Sequence, residues 1–110
     1  MSALEDKYFD AFKFYAKGYP MPLREQRWHP TRKFRADFLW EAERLIVEIQ
    51  GGVYQKGAHT SLKGYSSDCV RMAEAVLNDY WLVYFDSVLM KNPKKCVETT
   101  MKILDRLTNN

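Results

Sequence analysis

The amino-acid sequence predicts one mixed α/β domain, residues 1–110, in which a mixed β-sheet is flanked by helices in the order α-β-β-β-α-β-α. Amphipathic segments with helical spacing stand at both ends of the chain. Short apolar runs lie between them, and a third helical segment separates the last two of these runs. With 110 residues and 46% hydrophobic content, the chain is long enough for one domain with a modest core.

The helices are predicted from periodicity and capping. Residues 3–17 carry an apolar stripe, and Ser2 with Glu5 forms a capping box in which both side chains satisfy the first turn. A second helix is expected from Ser66 or Ser67 to about residue 79, with Val70, Ala73, Val76 and Leu77 on its buried side. A third helix starts at Asn92-Pro93, which is a typical N-cap and first-turn pair, and ends near residue 107.

Four strands are expected between these helices. They are residues 23–29, 34–40, 45–50 and 81–85, and the second and third form a hairpin around a turn at residues 41–44. A strand, a helix and another strand in succession predict a parallel crossover, so that residues 81–85 form a buried strand parallel to a core strand. Residues 53–65 are a polar loop, long enough for so small a domain to suggest a function.

Each strand of the hairpin carries an acid where an apolar residue is expected. Asp37 lies in the first strand and Glu48 in the second, where it shares a face with Ile46 and Gln50. A carboxylate buried in a strand without a partner costs several kcal/mol, so two on adjacent strands suggest a shared cation. Hard cations such as Mg²⁺ prefer oxygen ligands, and Gln50, two positions along, can touch a bound water.

Basic residues are concentrated just before these acids. Net charge is only +3, but one segment holds Arg24, Arg27, His29, Arg32, Lys33 and Arg35. Such a density permits contact with a polyanion. It equally suits a solvated edge strand that carries charge to prevent aggregation.

Several classes of protein are not expected from this composition. The longest apolar run, residues 80–85, is too short to span a bilayer, and the first six residues lack the basic and apolar regions of a signal peptide. The two cysteines, Cys69 and Cys96, have no metal-site spacing with the two histidines. They are expected as free thiols in a reducing cytoplasm, with a single disulfide as the alternative.

Beyond these physical arguments, the chain resembles the PD-(D/E)XK nuclease superfamily, which has a restriction-endonuclease-like core. The resemblance lies in Asp37, a turn, and Glu48-Ile49-Gln50. A wider pattern over roughly residues 20–90 is similar to a small phage-type group related to very-short-patch repair endonucleases. That pattern comprises Trp28-His29-Pro30, Arg32, Phe34 to Phe38, Val47 to Gly52, His59, Asp68, Arg71 and Trp81 to Val83.

The resemblance implies a metal-dependent DNA endonuclease, in which Asp37, Glu48 and the Ile49 carbonyl bind Mg²⁺, with Mn²⁺ able to substitute. Glu25 would supply a third carboxylate; alternatively it pairs with Arg27 or Arg35. Catalytic roles fall on Asp37, Glu48, Gln50, His59 and Lys63. Contacts with the nucleic acid fall on Arg27, His29, Arg32, Lys33, Arg35, Lys56 and Arg71.

The chain departs from this family at one important position. Gln50 stands where the family usually has lysine, and glutamine cannot carry a positive charge or act as a base. A cation supplied from elsewhere can compensate, and Lys56, Lys63 and Arg71 are the candidates. His59 could instead be an exposed loop residue without a function. Asp68 and Arg71, three residues apart on a helix, could instead form an ion pair on the surface.

The expected function is therefore Mg²⁺-dependent hydrolysis of DNA phosphodiester bonds. Cleavage specific for a structure such as a nick or junction is a variant of this hypothesis. Cutting both strands would normally need a homodimer. The expected location is the cytoplasm of a bacterium or of a phage-infected host. Two alternatives stay open: a nuclease-like module that binds nucleic acid or protein with weak or no catalysis, and a purely structural domain.

Overall fold

A computed structural model describes residues 2–51 and 62–109 of the protein, with the side chains of the second stretch described from Ser66 onward. The described residues form a four-stranded mixed sheet with three α-helices, which confirms the predicted fold class. The elements are α1 (Ala3–Tyr15), β1 (Leu23–Arg27), β2 (Arg35–Trp40), β3 (Leu45–Gln50), α2 (Leu62–Leu77), β4 (Trp81–Asp86) and α3 (Pro93–Thr108), with a 3-10 turn at Leu89–Lys91.

The strands lie in the order β1-β2-β3-β4. The first three are antiparallel to one another, and β4 is parallel to β3, as the strand-helix-strand pattern predicted. The β2–β3 turn closes with the Arg44 N–H donating to the Glu41 carbonyl at 3.2 Å. Among the described strands β4 therefore forms one edge of the sheet, and this position explains why Trp81 is 62% exposed instead of buried as predicted.

Helices α1 and α3 cover one face of the sheet and form the larger core with Phe38, Val47 and Ile49. A buried hydrogen bond of 2.7 Å between the hydroxyls of Tyr8 and Thr100 joins the two helices. A smaller core lies on the opposite face, where α2 packs against β2 and β3. It contains Trp28, Ala36, Leu39, Ile46, Ala75 and Tyr80. Strand alternation puts Asp37 and Glu48 on this second face, beside Leu39 and Ile46.

The predicted caps of α1 and α3 are confirmed. The Ser2 hydroxyl accepts from the Glu5 N–H at 3.1 Å, as an N-cap does, and donates to the Glu5 carboxylate at 3.2 Å, a contact between side chains in place of the backbone bond of a capping box. The Asn92 side chain accepts from the Lys95 N–H at 3.2 Å. The predicted start of α2 at Ser66 or Ser67 is wrong, because the backbone is already helical at Leu62.

Helix α2 also presents a different side to the sheet from the one predicted. Val70, Ala73, Val76 and Leu77 are exposed, whereas Ala75 is fully buried. The reason is that the charged residues of α2 find partners on the sheet side, as described below. No helix in the described residues is long and apolar enough to cross a membrane.

Candidate metal centre

The two strand acids lie where β2 and β3 separate. Regular pairing covers Phe38 with Val47 through Trp40 with Leu45, and beyond it the carboxylates take over the backbone hydrogen bonds. The Asp37 carboxylate accepts from the Ile49 N–H at 2.8 Å, and the Glu48 carboxylate accepts from the Asp37 N–H at 2.8 Å. Each acid is therefore fixed by the backbone of the opposite strand, and the two side chains are held together.

A guanidinium from α2 reaches the same place. Arg71 Nη1 donates to Glu48 Oε1 at 2.6 Å and to the Arg35 carbonyl at 3.0 Å. Glu48 is only 6% exposed, and the Arg71 side chain is 24% exposed. Arg71 was expected either as a cation at the site or as the partner of Asp68 in a surface ion pair. In the structure it lies beside the acids and does not pair with Asp68.

Burial and mutual repulsion make both acids weaker than usual. Burial and, after it, the neighbouring Asp37 charge raise the pKa of Glu48 from 4.5 to about 7, against the lowering effects of the Asp37 N–H and of Arg71. Burial also raises the pKa of Asp37, with the charge of Glu25 adding to the effect and the Ile49 N–H and Arg71 opposing it. The hydrogen bonds and Arg71 therefore offset only part of the cost of ionising these buried acids.

Glu5 joins this pair from the first turn of α1. Its pKa is raised by burial and by the charge of Asp37, and its Oε1 atom is buried with no hydrogen-bond partner among the described residues. The start of α1 and the end of β3 are close, since a Cβ on Gly51 would lie 3.4 Å from Leu4 Cδ2. Sequence reasoning gave Glu5 only its capping role, because its position beside Asp37 is created by the tertiary packing of α1.

Glu25 lies on β1 opposite Asp37 of β2. Its neighbours Arg24 and Gln26 pair with Phe38 and Ala36, but Glu25 and Asp37 are not themselves a bonded pair. Its backbone adopts a φ of +50°, a left-handed conformation that is uncommon outside glycine. Its carboxylate accepts from Arg35 Nη2 at 2.8 Å. Pairing with Arg35, one of the alternatives left open for Glu25, is therefore present, and the charge of Glu25 also acts on Asp37; its role as a third carboxylate stays a prediction.

Asp37 and Glu48 are the side-chain oxygen donors that this site offers to a metal ion. The described residues contain no group of three or more histidine, cysteine or acidic side chains placed to hold a metal. Mg²⁺ is commonly bound by only one or two carboxylates and keeps several waters. Asp37 and Glu48 supply two carboxylates, and one oxygen of Glu5 is buried without a hydrogen-bond partner among the described residues.

Tyr84 is a site residue that sequence reasoning missed. It is the register partner of Glu48 on β4, so its side chain lies on the same face of the sheet. Its hydroxyl is buried and has no hydrogen-bond partner in the described part of the chain. Burial and the charges of Asp68 and Glu48 raise the pKa of Tyr84 to about 12, so it stays a donor. The predicted parallel pairing of the two strands was the signal that could have identified it.

Less can be said of the other residues that were predicted to be catalytic or to supply a compensating cation. Gln50 is half-buried at the end of β3, on the face of Glu48 and in register with Asp86. Lys56 and His59 lie outside the described residues. Lys63 belongs to α2, but its side chain is not among those described.

An exposed basic surface surrounds the open end of the β1–β2 pair. It consists of Arg27, Arg32, Lys33 and Arg35. Arg27 and Arg35 are register partners, and Arg35 is two residues before Asp37 on β2.

His29, which was grouped with these residues, has a different role. Its side chain is 6% exposed, Nε2 lies 2.5 Å from Glu74, and Nδ1 accepts from the Thr31 and Arg32 N–H groups at 3.1 and 2.8 Å. The structure gives His29 a structural role in the turn, not the surface contact predicted for it.

Comparisons of this chain with protein-family models, with curated proteins and with solved structures found no match.

Proposed function

We propose that the protein is a metal-dependent endonuclease that hydrolyses phosphodiester bonds in DNA. The observation that carries the proposal is the buried Asp37–Glu48 pair, held at the opening between two strands by each other's backbone. Keeping two acids this close in a sheet is costly unless a cation joins them. The sequence resemblance to PD-(D/E)XK nucleases supports the same conclusion.

The bound cation would supply Lewis acidity, which polarises a phosphate oxygen and lowers the pKa of a bound water. Asp37 and Glu48 would hold it, with the Ile49 carbonyl as a further oxygen. Gln50 points to the same face and can orient the water through its amide, but it cannot remove a proton. Arg71 brings a positive charge within 2.6 Å of Glu48, where it can bind a phosphate oxygen.

The basic surface gives the expected route for DNA. Arg27, Arg32, Lys33 and Arg35 are exposed beside the acids, so a phosphate backbone lying across them would reach the site. Binding should weaken steeply with salt, because counterions are released at each phosphate contact. A 110-residue chain has little surface for reading bases, which favours recognition of a nick or junction.

A nuclease-like module that binds nucleic acid or protein without cleaving is the second candidate. Two observations favour it. Gln50 replaces the charged residue that the chemistry normally uses, and Arg71 already provides Glu48 with an internal cation. Under this second hypothesis, Arg71 neutralises the two acids and the three side chains stabilise the end of the sheet.

A cleavage assay separates these functions. Wild-type protein should cut duplex, single-stranded or branched DNA in Mg²⁺ or Mn²⁺. Asp37→Asn, which retains an oxygen for the Ile49 N–H, should lose roughly 100-fold or more of that activity. Asp10→Asn, which changes an exposed acid of α1, is the matched control. Failure to cleave all three DNAs, or equal cleavage by Asp37→Asn, would exclude the nuclease.

A further inference from the structure

Helix α2 has its polar and apolar sides reversed relative to a normal surface helix. Between Ser66 and Leu77, each charged residue is partly buried: Asp68, Arg71 and Glu74. The exposed residues of the same stretch are all uncharged: Ser66, Ser67, Cys69, Val70, Met72, Ala73, Val76 and Leu77. A surface helix ordinarily turns its apolar stripe to the core and its charges to water, so this arrangement needs a reason.

Contacts on the sheet side fix the helix in this orientation. Arg71 binds Glu48 and the Arg35 carbonyl, and Glu74 binds the nearly buried His29. The small Ala75 packs between them against the sheet. Rotating α2 to bury its apolar side would leave these charged groups without partners, which costs more than exposing a few methyl groups.

The apolar surface continues from α2 onto β4. Val76 and Leu77 are 72% and 73% exposed, and the neighbouring Trp81 is 62% exposed. A hollow of about 290 Å³, lined by Val76, Asp79, Tyr80 and Trp81, lies beside them. We call this the α2 face, defined by Val70, Met72, Ala73, Val76, Leu77 and Trp81. It offers both projecting side chains and a hollow to receive them.

We propose that the α2 face is the interface of a homodimer, occupied by the same face of a second copy of this chain. A twofold interface sets a surface against itself, so it works best where no charge meets its like. The exposed residues of α2 between Ser66 and Leu77 meet this condition although the chain has a net charge of +3. The small Cys69 and Ala73 allow two helices to approach closely.

The size of the surface fits a second copy. The exposed fractions of Val70, Met72, Val76, Leu77 and Trp81 correspond to an apolar area on the order of 500 Å² per copy. A standard protein interface takes about 800 Å² from each partner, so this area supplies the apolar centre and a polar rim the remainder. A patch of this extent is comparable with the largest on a typical monomer, and such patches are often interaction sites.

Dimerisation through α2 would also connect the two candidate metal centres. Arg71 contacts Glu48 from the sheet side of the same helix that forms the interface. Two copies would therefore hold their sites in a fixed relation. The proposal concerns association alone, and it stands or fails independently of whether the site cleaves DNA.

Sedimentation velocity of the full chain between about 1 and 200 µM tests the proposal. Wild-type protein should sediment as a dimer in the upper part of that range. Val76→Asp should weaken dimerisation by roughly 100-fold, because a carboxylate would be buried against its own copy. Phe14→Asp is the control, since Phe14 is 67% exposed on α1, away from the α2 face.

Reaction of Cys69 with a maleimide gives a second readout on the unaltered chain. Cys69 is exposed in one copy and Cys96 is buried, so the folded protein should label at Cys69. Dilution should speed this labelling several-fold as dimers separate. A wild-type chain that stays monomeric throughout, a Cys69 rate independent of concentration, or a Val76→Asp variant as dimeric as wild type would each overturn the proposal. If the protein is a monomer, the α2 face is not a homodimer interface and must bind a different partner.

Discussion

Replacing Glu48 by glutamine should make the metal-free protein more stable at alkaline pH. The pKa of Glu48 is raised from 4.5 to about 7, mainly by burial and next by the charge of Asp37. Between those pH values the folded protein keeps a proton that the unfolded chain has released. The stability contributed by this proton is complete below about pH 4.5 and is lost as the pH rises through about 7. Glutamine has the shape of the neutral acid and does not titrate.

The size of the effect follows from the same shift. One pKa unit corresponds to about 1.4 kcal/mol, so ionising Glu48 in the folded protein costs about 3 kcal/mol relative to the unfolded chain. Most of this loss falls between about pH 5 and pH 8.5. The free energy of unfolding of Glu48→Gln minus that of wild type should therefore increase by about 2 to 3 kcal/mol over this interval.

Urea unfolding in EDTA at about pH 5 and pH 8.5 measures this difference directly. Glu98→Gln, an exposed acid on α3, is the control and should change little with pH relative to wild type. A difference between Glu48→Gln and wild type that is the same at both pH values would refute the claim that Glu48 is ionised at a cost. A variant that loses stability as the pH rises would contradict it more strongly.

Two further substitutions test the surroundings of the acids. Tyr84→Phe should leave the metal-free protein as stable as wild type or up to about 1 kcal/mol more stable, because the Tyr84 hydroxyl is buried without a partner among the described residues. Tyr8→Phe is the comparison: it removes the hydrogen bond to Thr100 and should lower the free energy of unfolding by about 1 kcal/mol. Equal losses in both variants would contradict this reasoning. Arg71→Met should cost about 1 to 2 kcal/mol at pH 8.5 and should raise the pKa of Glu48 further, since Arg71 lowers it. Urea unfolding across pH measures both effects, and an unchanged pH dependence in Arg71→Met would argue against their coupling.

The strands around the site could be predicted because their signals are local. Alternation placed Asp37 and Glu48 on one face, and the crossover pattern placed β4 parallel to β3. The acids were conspicuous in the sequence because a carboxylate is unexpected in a run of apolar strand residues. Nothing local, however, indicates that their carboxylates replace the ladder hydrogen bonds, which depends on how the two strands separate.

The residues that were missed or misplaced depend on tertiary contacts. Glu5 looked like a cap and is one, and its second oxygen became part of the site only because α1 packs beside the end of β3. The apolar stripe of α2 was assigned to the core by periodicity. The Arg71–Glu48 ion pair and the Glu74–His29 hydrogen bond outweighed that preference, since Glu48 lies on β3 and His29 lies in the turn after β1.

Anomalous diffraction from a crystal soaked in Mn²⁺ tests the central claim most directly. We expect one manganese peak between Asp37 and Glu48, with a carboxylate oxygen of each at roughly 2.0 to 2.3 Å and the Ile49 carbonyl beside it. The peak should vanish in Glu48→Gln crystals prepared in the same way. A wild-type crystal with no peak there, and with Arg71 still bound to Glu48, would show that the acids are a structural ion pair and would contradict the proposed metal centre.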